Sequence, residues 1–250
     1  MRYDTLSYEK QGFIGHIVLD LPDGGDGLGV RLAEDFAGAC ASIEDDDEVR
    51  VVTLTGAGKH FCLGTDPCLF EEGEAPLSLC RIAMALSRPI VAGVNGDARG
   101  QGLELALACD MRIAAETARF ALPQVTAGFM PRDGATQLLP RIVGRSTAME
   151  MVLLGRTLSA SEALDVGLVS KVVPPNELAR ALAEIADAMA ARAPLSLRYA
   201  KEAVLQGLDL TLEQGLHLEA DLYHLLQTTE DRVEGIRSFL ERRPPHFEGR

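Results

Sequence analysis

Between residues 13 and 115, short aliphatic runs alternate with stretches of helical spacing, and this alternation limits what the chain can fold into more than any other feature. Residues 13–21 read as a strand ending in the turn-forming Pro22-Asp23-Gly24-Gly25. Residues 31–43 put Leu32, Phe36, Ala39, Cys40 and Ile43 on one helical face, and the acidic loop Glu44-Asp45-Asp46-Asp47-Glu48 follows. Residues 49–55 read as a second strand, and 89–94 and 110–115 are further short, apolar strands of the kind that a parallel sheet buries on both faces. Strand and helix in turn argue for an α/β layer architecture. From about residue 134 the pattern becomes helical, with short helices at 135–142, 146–154 and 160–166 and a last strand at 167–173. Amphipathic helices at 177–191, 195–206, 212–227 and 231–240 complete the chain, and their leftover apolar faces suggest subunit contact.

Composition removes several function classes. With 250 residues, 47% of them hydrophobic, the chain has material for a full core. No apolar run approaches the roughly 18 residues of a membrane span, and the first residues lack a signal-peptide layout, so a cytoplasmic protein is expected. Five cysteines without a C-x-x-C pair and five histidines without ligand spacing give no reason to expect a metal or a disulfide framework. A formal charge of −13 repels phosphate at long range, which disfavours nucleic acid and anionic membranes as partners. A small anionic ligand would need local basic groups, for which Lys59, Arg242 and Arg243 are the candidates.

The chemistry concentrates at Glu104, which opens an apolar helical run directly after the turn Asn95-Gly96-Asp97-Ala98-Arg99-Gly100-Gln101-Gly102. A carboxylate in a first helical turn faces unpaired N–H groups and is expected to stay ionised, as a general base must. Gly100 and Gly102 allow close approach of the backbone to a ligand, with amides turned toward developing negative charge.

At this point the residues resemble the crotonase, or enoyl-CoA hydratase/isomerase, superfamily. Gly58-Lys59-His60-Phe61-Cys62-Leu63-Gly64-Thr65-Asp66 is similar to its F-x-A-G-x-D element, and Asn95-Gly96 through Cys109-Asp110 to its N-G-x-x-x-G-G-G-x-E-L-A-x-x-C-D element. Ala118 to Pro123, Gly128 to Pro131 with Thr136-Gln137, Thr157 to Ala163, Gly167 to Val173, and Glu234 to Pro244 extend the likeness nearly end to end.

The resemblance implies a crotonase-like spiral of β-β-α units over residues 1–193 and a C-terminal helical oligomerisation region over 194–250, assembling homotrimers that often pair into hexamers. It implies acyl-CoA thioesters as substrates and no further cofactor. By register the oxyanion donors are the main-chain amides of Leu63 and Gln101, and Glu104 is the base. Lys59, Phe61, Gly64, Asp66, Gly100, Gly102, Phe239 and Arg242 fall at substrate- or CoA-binding positions.

Three departures stand out. Leu63 replaces the usual alanine, Gln101 the usual glycine or alanine, and Gln124 the second glutamate of family hydratases. A carboxamide has no titratable proton, so Gln124 is assigned to positioning water or substrate, and Asp133 is a candidate for the second acid. The leading expectation is hydration or dehydration of a 2-enoyl- or dienoyl-CoA. Double-bond isomerisation, ring hydrolysis, decarboxylation and a non-catalytic acyl-CoA-binding subunit stay open beside it.

Overall fold

A computed structural model describes residues 1–21, 29–64 and 77–250. Its main sheet has six strands in the order β1 (Leu6–Gln11), β2 (Ile14–Leu19), β3 (Val51–Gly56), β4 (Ile90–Val94), β6 (Met111–Ala115) and β9 (Lys171–Val173). Only the β1–β2 pair is antiparallel. The tight turn at Gly12, with φ of 57°, closes that hairpin. A smaller three-stranded sheet joins β5 (Ala98–Arg99), β7 (Arg119–Ala121) and β8 (Leu158–Ser159).

The parallel strands need crossovers, and the helices supply them. One face of the main sheet carries α1 (Gly29–Glu44), α2 (Leu79–Ala85) and α3 (Gln101–Ala108) over a core that includes Phe36, Ile43, Leu54, Leu79 and Leu103. On the other face α6 (Leu178–Ala190) sets Leu178, Ala181, Leu182 and Ala186 against Ile14, Val51, Val91 and Ile113. Both faces of β3 and β4 are therefore buried over most of their length, which is why β4 reads as an unbroken apolar run and β3 carries only threonine among its polar residues. The fold class expected from the sequence is the one observed.

Local differences have local causes. Strand β1 escaped the periodicity reading because only Leu6 and Tyr8 of its six residues are buried. The strand expected at 167–173 is paired only over Lys171–Val173. Before it, Leu168 and Val169 are buried, and the Leu168 carbonyl accepts from Arg112 Nε at 2.8 Å. The helices expected at 135–142 and 146–154 are joined as α4 (Ala135–Leu154), with non-helical Gly144 (φ 77°, ψ 162°) between them.

Beyond α5 (Ala160–Asp165), the chain ends in α7 (Pro194–Gly207), α8 (Leu212–Leu226) and α9 (Glu230–Glu241). Lys201 on α7 reaches back to Asp110 at 2.8 Å and to the Arg88 carbonyl at 3.0 Å, tying that helix to the sheet. None of the helices among the described residues is long and apolar enough to cross a membrane.

The turn before α3 is set by Asn95 and two glycines. Asn95 Oδ1 accepts from the Gly56 amide at 3.0 Å, and its Nδ2 donates to the carbonyls of Gly58 (3.2 Å) and His60 (3.1 Å). The segment after β3 is thereby stitched to the end of β4. A Cβ on Gly96 would fall 1.9 Å from the Lys59 carbonyl oxygen, and one on Gly102 would fall 2.0 Å from that of Cys62. No side chain fits either position, so backbone contact itself fixes where α3 begins. Gly102→Ala is expected to displace α3 and cost about 2–3 kcal/mol of stability, read as a lower midpoint in chemical denaturation. An unchanged midpoint would show that the contact yields freely.

Candidate functional site

Glu104 lies in the first turn of α3, and its side chain is enclosed, with 1% of the residue exposed. One oxygen, Oε1, accepts from the main-chain amides of Asp133 at 2.8 Å and Ala135 at 3.1 Å. Those donors stand at the start of α4, so the unpaired N–H groups that receive this carboxylate belong to a second helix and not to its own.

The expectation that Glu104 stays ionised is corrected by this burial. Loss of solvent pushes its carboxyl up to about 7; the amides of Ala135 and Asp133 oppose the rise, the Asp133 charge adds to it, and Arg132 works against it. Desolvation outweighs both hydrogen bonds, leaving a group that titrates near neutrality.

The Leu63 and Gln101 segments meet at their backbones. The Arg99 amide donates to the Cys62 carbonyl at 3.0 Å, and the amides of Phe61 and Cys62 both reach the Asp97 carbonyl at 3.1 Å. Gly64, with φ of 77°, approaches so closely that a Cβ there would lie 2.9 Å from the Gln101 nitrogen. Gly100 (φ 53°) caps α3, and its own absent Cβ would lie 3.6 Å from Gln124 Nε2 and 4.0 Å from the Leu63 carbonyl. Pairing of β5 with β7 holds that arrangement, because the 3-10 turn Pro123–Ala127 carrying Gln124 follows directly from β7. Gln124 Oε1 is buried and meets no hydrogen-bond donor among the described residues.

Asp133 closes the site from the α4 side. It is 5% exposed, and its carboxylate accepts from Ser78 Oγ, from Gln101 Nε2 at 3.3 Å and from the Cys80 amide at 3.4 Å. Ser78 and Cys80 were not singled out in the sequence. The available signal was a serine just before Leu79, Cys80 and Ala83, which are the buried residues of the α2 that it caps.

The other sequence candidates divide into two groups. Lys59, Phe61, Leu63 and Gly64 line one cavity of about 230 Å³ together with Leu19, Asp20, Leu21 and His60. Within it Phe61 is a core residue and Lys59 is exposed. Phe239 and Arg242, both exposed, belong to the far end of α9, where Phe239 lines a separate apolar cavity with Ile236, Leu240 and Phe247. Asp66 lies outside the described residues. No three His, Cys, Asp or Glu side chains among the described residues are gathered as a metal would require.

Comparison with known proteins follows the same outline. The family model described as Enoyl-CoA hydratase/isomerase matches residues 9–250. The (E)-benzylidenesuccinyl-CoA hydratase of Thauera aromatica is 38% identical, with 98% of this chain and 99% of that protein aligned. The 2,3-dehydroadipyl-CoA hydratase of Escherichia coli strain K12 is 39% identical at 98% and 99% coverage. Among solved structures, the enoyl-CoA hydratase from Bacillus anthracis superimposes with a TM-score of 0.93 at 36% identity, covering 99% of this chain and 100% of that one.

The displaced titration of Glu104 carries a stability signature. Its folded value of about 7 exceeds the ordinary 4.5, so between these pH values the folded protein holds a proton that the unfolded chain has released. Stability therefore falls as pH rises through that window, by at most roughly 3 kcal/mol. Glu104→Gln keeps an acceptor for both amides and never ionises. Its melting temperature relative to wild type is expected to rise between pH 5 and pH 8 by about 5 °C, followed by scanning calorimetry. A difference that stays constant across that range would mean that the carboxyl is not displaced by burial.

Proposed function

The chain belongs to the enoyl-CoA hydratase/isomerase family, and we propose that it acts there as a lyase, adding water to, or removing it from, a 2-enoyl- or dienoyl-CoA thioester. The observation that carries this reading is the pinned Glu104 carboxylate, three residues beyond the Gln101 amide and on the same turn that Gly64 packs against.

In the proposed mechanism the amides of Leu63 and Gln101 receive the thioester oxygen. Glu104 takes a proton from water, the water oxygen bonds to the β-carbon, and the π electrons move through the α-carbon onto the thioester oxygen as an enolate. The enolate then collapses, the α-carbon accepts the proton held on Glu104, and the 3-hydroxyacyl thioester is complete. Donors prearranged for a charge that forms only along the reaction are worth roughly 3–4 kcal/mol each. Gln124 supports the step by holding the water, since its buried Oε1 is an acceptor with nothing else to bind among the described residues.

The thioester is the substrate, and the mechanism calls for no metal or added cofactor. Lys59 is assigned to the CoA phosphates beside the cavity that it lines. Assembly as a homotrimer, or a pair of trimers, is proposed through the 194–250 region, where Leu212, Leu216, Tyr223 and Leu240 all stand exposed on a helical pack. A cytoplasmic location fits a chemistry that draws on the CoA pool.

Three measurements test the reading. On a panel of enoyl-CoA esters, kcat/KM is expected to rise with pH through about 7, following ionisation of Glu104. Glu104→Gln is expected to lose about 10²–10⁴-fold in rate, while Gln124→Glu, which restores a titratable group, is expected to gain about tenfold. Product masses separate the competing reactions: hydration adds one water, decarboxylation loses carbon dioxide, and isomerisation leaves mass unchanged. Equal turnover by wild type and Glu104→Gln would remove Glu104 as the base.

A further inference from the structure

Resting on the hydratase reading above, we propose that Asp133 is a positioning residue of this site, holding the Glu104 base and the Gln101 turn in register and supplying the negative charge that position 124 lacks. Asp133 touches the site twice. Its amide donates to Glu104 Oε1 at 2.8 Å, and its carboxylate accepts from Gln101 Nε2 at 3.3 Å. Base and anion-binding turn are thus both fastened to one residue, in the segment that leads into α4.

A rival role is simple capping of α2, since the same carboxylate accepts from Ser78 Oγ and from the Cys80 amide at 3.4 Å. Ser78 already performs that capping, because its hydroxyl oxygen accepts from the Arg81 amide at 3.0 Å while its proton goes to Asp133. The bond to Gln101 lies outside α2 altogether, and capping does not explain it. A bulky glutamine where a small residue would leave the turn bare acquires a purpose in this way. Its amide group reaches across to the segment before α4 and stiffens the first turn of α3.

The groups facing Glu104 leave few sources of charge. Asp133 and Arg132 come from the segment before α4, with opposite effects on the carboxyl. From α2 comes the Cys80 thiol, pushed up to about 12 by burial and then by Asp133 and Glu104, and therefore neutral; Arg81 lies beyond it. Gln101 and Gln124 carry no charge. Among the described residues, Asp133 is therefore the acidic group that favours a proton on Glu104, the state in which that carboxyl returns hydrogen to the α-carbon.

The test compares Asp133→Asn with wild type in two readouts, the pH profile of kcat/KM and the titration of the Glu104 carboxyl by carbon-13 NMR, its signal assigned by loss in Glu104→Gln. Expected for Asp133→Asn is a fall of about one pH unit in both the acid limb and the NMR midpoint, as removal of a nearby like charge requires. A loss of about tenfold in kcat with KM held within about twofold is expected from the loosened Gln101 turn. Gln101→Leu keeps the Asp133 charge and is expected to lower kcat without lowering the midpoint. An Asp133→Asn protein that melts earlier but titrates and turns over like wild type would reduce Asp133 to a helix cap and overturn the proposal. If Asp133→Asn does not fold, an unaltered kcat in Gln101→Leu overturns it instead. Should no enoyl-CoA ester be turned over even by wild type, the hydratase reading fails, and the NMR midpoint still decides whether Asp133 acts on Glu104.

Discussion

The site depends on one enclosed carboxylate. Glu104 is placed where solvent cannot reach it and is compensated on a single oxygen by two amides from the start of α4. Hydrogen bonds to an anion favour ionisation, whereas burial opposes it, and here burial prevails, pushing the carboxyl up to about 7. The arrangement makes α3 and α4 mutually dependent. Helix α3 carries the acid, α4 carries its donors, and neither end would be satisfied if the two helices parted. Gly102 against Cys62 and Gly96 against Lys59 are what set α3 at that depth.

Gln101 and Gln124, two of the departures from the family pattern, make physical sense together with Asp133. A carboxylate at 124 would lie close to Gly100, on the side of the turn where Gln124 Nε2 now lies. In this chain the second acidic side chain is instead Asp133, beyond the first turn of α3, and the glutamine at 101 is long enough to reach it. A negative charge buried to 5% exposure is tolerable only with donors around it, and Ser78, Cys80 and Gln101 provide them. The backbone shape of the turn is set by Gly64, Gly100 and Gly102.

How much was legible in the sequence follows from where the information resides. The doubly buried strands were visible because every residue of β4 is apolar, and α6 because its buried positions recur at helical spacing. Strand β1 was not, since its stability comes from pairing with β2, a contact that leaves little mark on a six-residue segment with two buried side chains. Glu104 itself was legible through its register in the motif, but its electrostatics were not. Sequence placed it in the first turn of its own helix, which favours the anion, whereas the deciding influence is loss of solvent in the folded protein, with the amides of Asp133 and Ala135, 29 and 31 residues along the chain, opposing it. The partners of Asp133 were hidden for the same reason: nothing in the spacing of Ser78, Gln101 and Asp133 announces that three separate elements converge there.

A carboxyl that titrates near neutrality also suits the one-carboxylate hydration proposed here. The group that receives a proton from water in the first step must release it to carbon in the second, and a strong acid would be slow to accept it, a weak one slow to give it up. An ordinary glutamate, with its value near 4.5, stays almost wholly ionised at neutral pH and makes a poor proton donor at that pH; burial pushes the Glu104 carboxyl up to about 7, toward the range in which it can both accept and give a proton. A second catalytic acid becomes less necessary as the first approaches this balance. Replacing glutamate by glutamine at 124 is then compatible with the proposed turnover, provided that the enclosure of Glu104 is maintained.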